Sequence, residues 1–307
     1  MFLNNIFYAI KPSIPRKLQI GFRRQVVRYR RKKNFHIWPI DPNSGTPPKG
    51  WKGWPDNKKI ALVLSHDVDT HKGQDKCYQL MEIEESLGFR SAFNIVPEKY
   101  RVSRKLINDL KNRGFEVGVH GLNHDGKLFT SRHIFNERAK RINYYLQEWG
   151  SKGFTSPSMH HNLSWMHVLK IDHGTSTFDT DPFEPQPDAV GTIFPFWVKN
   201  SSEAKGYVEL PYTLPQDFTL FVLMKEKNID IWKKKLNWIA QKGGMALFNS
   251  HPDYMNFSNK KCGNEEYSIE YYKEFLIYIK SKYKGQYWHA LPKEIARFWT
   301  NNMVIRK

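Results

Sequence analysis

From Lys58 onward, apolar positions arrive in short unbroken runs separated by longer stretches where they recur every three or four residues. Ile60–Leu64 is wholly apolar and of strand length, whereas Gln74–Leu87 has helical period and stops at Gly88. Ser91–Val96 predicts a second strand, Ser103 caps a helix ended by Gly114, and Phe115–Val119 predicts a third strand. Ser131 opens a long helix that ends at Gly150, with Ile134, Arg138, Ile142, Tyr145 and Trp149 along one stripe. Later strands are predicted at Gly153–Ser156, Thr175–Phe178, Tyr207–Leu210, Thr219–Leu223 and Met245–Asn249, and helices at Ile231–Gln241 and Glu266–Tyr283.

Repeated βα units imply parallel strands with helices outside, as an open doubly wound sheet or as a barrel. No glycine-rich dinucleotide fingerprint follows the first strand, so an irregular (β/α) barrel is expected. Asp181–Lys205, rich in proline and aromatics, breaks the alternation and is expected to run over one face.

Charge divides the chain differently. The net charge is +18, yet residues 1–59 hold 14 Lys/Arg against 2 Asp, and no acidic residue precedes Asp41. A basic leader and a Pro/Gly/Trp-rich connection (residues 1–57) are therefore expected ahead of one alternating domain (residues 58–307). Pro15 suits the start of a helix through Lys33, with Leu18, Phe22, Val26 and Tyr29 on one face and arginines on the others. Such a helix suits an anionic membrane surface, so peripheral membrane contact through residues 1–33 is expected, with a solvated or domain-packed helix as the other reading. No recognition fold accompanies the charge, so no nucleic-acid partner is expected. Cys77 and Cys262 are too few for a disulfide framework or a multi-cysteine zinc site. The apolar opening Met1–Ile10 has no preceding positive charge and is too short to span a bilayer. A cytoplasmic protein, peripheral at the inner membrane surface, is the expectation.

Chemistry-bearing residues gather where strands end. The first strand stops at Ser65-His66-Asp67-Val68-Asp69, the third at His120-Gly121-Leu122-Asn123-His124-Asp125, and a later one at Asn249-Ser250-His251-Pro252-Asp253. In a parallel βα fold these segments converge on the carboxyl edge of the sheet. Two histidines four apart plus a carboxylate match a catalytic zinc-type donor set, which leaves one position open. Ser65-His66-Asp67 is not read as a nucleophilic triad, because successive strand residues face opposite ways.

In this order Ser65–Asp69, His120–His124, Gly153-Phe154-Thr155-Ser156-Pro157 and Ser250-His251-Pro252 resemble the motifs of polysaccharide deacetylases, the NodB homology domain of carbohydrate esterase family 4. The first motif is similar to the His-Asp-Val-Asp variant branch, and the resemblance spans about residues 58–300. It implies a distorted (β/α) barrel and hydrolysis of an N-acetyl group on a sugar or glycan precursor. It further implies one divalent metal, zinc first, on Asp69, His120 and His124, with Asp67 as general base and His251 as general acid. Asp125 is expected either to orient a ligand imidazole or to cap a helix. Thr155 stands where the family places an arginine that orients the base, with Arg90, His160 or His161 as candidate substitutes. That departure keeps two other readings open, a catalytically impaired carbohydrate-binding relative that retains fold and metal, and a basic surface-binding scaffold. Trp165, His160 and His161 are candidates for a sugar-binding rim, with core packing the stronger expectation for Trp165, and Trp51, Trp54, Trp232 and Trp238 are expected to be structural.

Overall fold

The computed structural model describes residues 15–200, 205–258 and 260–303. The apolar opening and the first part of the leader lie outside them. Helix α1 (Arg16–Lys33) leads to β1 (Ile60–Val68), α2 (His71–Leu87), β2 (Ala92–Ile95), α3 (Arg104–Asn112), β3 (Glu116–His120), α4 (Arg132–Glu148) and β4 (Gly153–Thr155). Then come β5 (His173–Gly174), β6 (Phe196–Lys199), β7 (Gly206–Glu209), α5 (Asp230–Lys242), β8 (Met245–Ser250), β9 (Met255–Asn256), β10 (Tyr267–Ser268), α6 (Ile269–Lys282), β11 (Tyr287–His289) and α7 (Pro292–Asn302).

β1 is the axis of the fold and is buried at every position, which is why its sequence opens as an unbroken apolar run. β8 lies along one side of it, while β11 and β2 share the other side, one at each end. Parallel pairing continues from β2 through β3, β4 and β5 to β7, with β6 antiparallel on the outside. The sheet then curls back. Phe178 bridges Tyr212, and Leu214 bridges Phe248 of β8. At that seam the Thr213 hydroxyl accepts from the Leu247 amide at 3.0 Å and donates to the Met245 carbonyl at 2.8 Å, replacing ladder bonds that a regular strand would supply. The expected distorted (β/α) barrel is therefore present.

Most predicted elements stand within a few residues of their expected bounds, and Ser103 and Ser131 cap their helices as predicted. Four differences have physical reasons. Thr219–Leu223 is not a strand but part of a π-helix, Phe218–Met224, whose apolar run is buried almost throughout and so lacks a readable period. Thr175–Phe178 forms only the bridge at Phe178, the strand lying earlier at β5. In α4 the buried stripe is Phe135, Ala139, Ile142 and Leu146, not the one through Ile134 and Arg138. The fourth difference is in α1. It buries Ile20 and Val27 in the common core, leaving Leu18, Phe22 and Tyr29 outward. Several of its arginines hold the barrel. Arg16 pairs with Glu265, Arg31 with Glu226, Arg24 donates to the Val222 and Asn264 carbonyls, and Arg30 donates to the Pro182 carbonyl. Trp51, Trp54 and Trp299 pack together, and Trp232 is wholly buried, as expected of structural tryptophans.

Candidate metal centre and active site

Three strand ends meet at the carboxyl edge of the barrel. β1 carries Asp67 and, just past its end, Asp69. β3 ends on His120 with His124 in the following loop, and His251 directly follows β8. Donor atoms of Asp69, His120 and His124 lie within 4.8 Å of one another. Asp69 Oδ1 is 3.1 Å from His124 Nε2 and 3.3 Å from His120 Nε2.

Each donor is set by its surroundings. His120 Nδ1 lies 3.1 Å from the Thr155 carbonyl, which can only accept, so Nδ1 carries the proton and Nε2 presents a lone pair. Gly121 follows at φ +60°, and its amide donates to the same carbonyl; a Cβ there would sit 2.5 Å from Pro157 Cγ. His124 has φ 53°, a conformation that costs a non-glycine residue on the order of 1–3 kcal/mol. Its loop is pinned next door. Asp125 takes a bidentate pair from Arg138 at 2.7 Å and accepts from the Lys127 amide at 2.9 Å. Asp125 thus neither caps a helix nor bonds a ligand imidazole. Asp69 is fixed by Asp253, whose Oδ2 accepts from the Asp69 amide at 2.9 Å and whose Oδ1 accepts from the Thr70 hydroxyl.

The buried Oδ1 of Asp69 makes no hydrogen bond although it faces two imidazole nitrogens. Lone pairs directed at one point repel unless a cation lies between them, and two imidazoles with one carboxylate are a zinc-type donor set. The residues therefore fit a divalent metal. Burial raises the Asp69 carboxyl, but the neighbouring His124 and His120 imidazoles outweigh it and hold the group well below its ordinary value. Burial works against the charged form of His120 too, and Asp67 and Asp69 overcome it, so its net shift is upward.

Asp67 stands beside this centre, Oδ2 at 3.8 Å from His120 Nε2. Two side-chain amides hold it. Asn94 Nδ2 donates to Oδ1 at 2.9 Å and Asn249 Nδ2 donates to Oδ2 at 2.8 Å. The strand register sets this, with Asn94 opposite Asp67 on β2 and Asn249 opposite Ser65 on β8. Gly118 leaves the space for it, since a Cβ there would lie 2.1 Å from Asn94 Oδ1. The suggested substitutes for the missing arginine are engaged elsewhere: Arg90 donates to the Phe89 and Arg113 carbonyls, and His161 bonds the Met159 carbonyl. His160 lines a small recess with Asp125 and Arg138. Thr155 bonds the Thr175 hydroxyl.

His251 is held by Asp217, which leads the π-helix. Asp217 Oδ1 lies 2.7 Å from His251 Nδ1, and Oδ2 accepts from the His251 amide and the Tyr267 hydroxyl, both at 2.9 Å. Burial lowers the His251 pKa, yet Asp217, with Asp69 and Asp67 behind it, raises it to about 10. Asn94, Asn249 as a positioning group, Asp217 and Asp253 were not singled out from the sequence. His66 turns away as strand alternation requires, bonding Glu84 at 2.7 Å and Ser250 at 2.8 Å in the core.

The site opens into a cavity of about 530 Å³. Phe183 and Glu184 reach it from the 181–205 excursion, Phe218 from the π-helix, and Arg16 and Arg23 from α1. Trp165 is absent from its lining and packs with Phe129 and Phe135. Glu184 is pushed up to about 8 by burial and by Asp181.

This sheet curled into a part-closed barrel is the fold of the polysaccharide deacetylases, and in this chain a His/Asp cluster stands at its carboxyl edge. Among solved structures the chain is similar to a protein assigned as a polysaccharide deacetylase in Mycobacterium smegmatis, at TM-score 0.61 and 18% identity over 85% of this chain and 98% of that one. It is similar to one so assigned in Pseudomonas aeruginosa, at TM-score 0.65 and 15% identity over 84% and 95%. PuuE allantoinase also shares the fold, at TM-score 0.63 and 16% identity over 87% and 98%. No family model matches the chain, and no curated protein matches it.

Proposed function

We propose that this chain is a metal-dependent hydrolase that removes an N-acetyl group from a sugar or glycan. Asp69, His120 and His124 hold a divalent ion, zinc first on the donor set. The observation that carries the proposal is the orphaned Asp69 Oδ1 facing two imidazole Nε2 atoms, with a held carboxylate and a held imidazole beside them. Names of two fold relatives support the substrate class, while the allantoinase shows that the fold alone does not select it.

A divalent ion held by these three residues would polarise the scissile carbonyl and lower the pKa of water from 15.7 to about 7. Asp67, its orientation fixed by Asn94 and Asn249, accepts the water proton as oxygen adds to the carbonyl carbon. His251, charged and aligned through Asp217, protonates the nitrogen as the C–N bond breaks. The products are acetate and a free amine. Neutral amides hold Asp67 in place without the charge or the bidentate fork of an arginine.

The test is metal content by elemental analysis together with acetate release from N-acetylated sugars. Wild type is expected to hold one metal and release acetate. Asp69→Ala and His124→Ala should lose the metal. Asp67→Asn should keep it and lose turnover roughly 100- to 10,000-fold. Metal without acetate would favour the carbohydrate-binding alternative, and a stoichiometric metal persisting in Asp69→Ala would overturn the ligand assignment.

A further inference from the structure

The two sides of α1 differ sharply in what they meet. Ile20 and Val27 sit in the core, and Arg16 and Arg23, on the same side, line the cavity over the metal centre. The opposite side carries Leu18, Phe22 and Tyr29, exposed at 65%, 67% and 68%, and Phe35 follows the helix at 78%. Among the described residues these are four of the seven exposed large apolar side chains. At 100° per residue, Leu18, Phe22 and Tyr29 fall within about 40° of one another. Exposed Lys17, Arg28 and Lys32 border the strip on one side and Lys33 borders it on the other, and the helix has no acidic residue. An apolar strip between basic flanks complements an anionic bilayer: rings and aliphatic chains enter the headgroup boundary while cations meet lipid phosphates. Among the described residues no helix is long and apolar enough to cross a membrane.

We propose that the outward face of α1 docks this protein on an anionic lipid membrane. Because the inner face of the same helix walls the cavity, docking holds the cavity within about one helix diameter, 10–12 Å, of the headgroups. If the deacetylase reading holds, that placement favours a glycan carried on a lipid over a free sugar. Docking itself does not depend on that reading.

The test is sedimentation of the full chain with phosphatidylcholine vesicles, with and without phosphatidylglycerol. Wild type should sediment with the anionic vesicles and be released by salt. The Leu18→Ser, Phe22→Ser, Tyr29→Ser triple variant should partition at least roughly tenfold less. Its melting temperature and metal content should match wild type, since the buried face is untouched. A Lys17→Glu, Arg28→Glu, Lys32→Glu variant, a second route should the first misfold, should lose the preference for anionic vesicles. Equal sedimentation of wild type and both variants overturns the proposal, as does equal retention by neutral vesicles. So does a wild-type dimer that the triple variant dissociates in place of vesicle binding, or sedimentation that arises only once residues 1–14 are removed.

Discussion

Asp67 is the residue where sequence and structure diverge most usefully. A threonine at position 155 removes the expected guanidinium, yet both carboxylate oxygens are held, by amides from β2 and β8. Asn94→Ala should therefore keep the metal and lower turnover about tenfold or more, with little change in KM. A variant that loses metal instead would make Asn94 a structural support of the ligand set. Asp217 gives a pH test. Its carboxylate is what raises His251 against burial, so Asp217→Asn lowers the imidazole pKa, and the charged donor disappears at lower pH. The alkaline limb of the kcat–pH profile should move to lower pH; an unmoved limb would remove His251 as the acid. Residues legible in the sequence were those ending apolar runs in His or Asp. Asn94 and Asn249 were not, because an amide within or at the end of a strand has no signature until the register places it opposite a carboxylate.

At the scale of elements, βα alternation was readable because β1, β3 and β8 are buried runs of strand length and serine or glycine marks many helix ends. The π-helix was not. Phe218–Met224 is apolar and packed on nearly every side, so it carries no period, and with it Asp217 was missed. The 181–205 excursion was legible as an excursion, but the burial of its first residues was not: it places Asp181 and Glu184 against Tyr212, with Gln216 donating to Glu184. That cluster makes stability depend on pH. Between its ordinary 4.5 and about 8, Glu184 keeps a proton in the folded chain that the unfolded chain has lost. Stability therefore falls as pH rises through that window. Glu184→Gln should lose less stability than wild type between about pH 5 and about pH 9 in urea titrations. Parallel losses in the two proteins would show that Glu184 is not carrying the effect.

For the whole molecule, the proposed metal centre is where separate parts of the chain are tied together. Asp69 comes from β1, His120 and His124 from β3 and its loop, and Asp253, which holds the Asp69 backbone, from beyond β8. Without a cation this junction combines an unbonded buried carboxylate oxygen with a histidine at φ 53°, both unfavourable. A ligand that binds only the folded chain stabilises it by mass action, about 2.7 kcal/mol at a concentration of 100 times Kd. For a chain of this size each kcal/mol raises Tm by roughly 1.5 °C, so zinc at that concentration should raise the Tm of chelator-treated protein by about 4 °C. Asp69→Ala removes both the ligand and the unbonded oxygen. Its metal-free Tm should lie close to that of metal-free wild type, and zinc should not move it. An equal zinc shift in the variant would place the stabilising metal elsewhere. A metal-free variant far less stable than metal-free wild type would mean that Asp69 holds the junction through its own contacts and not through a metal.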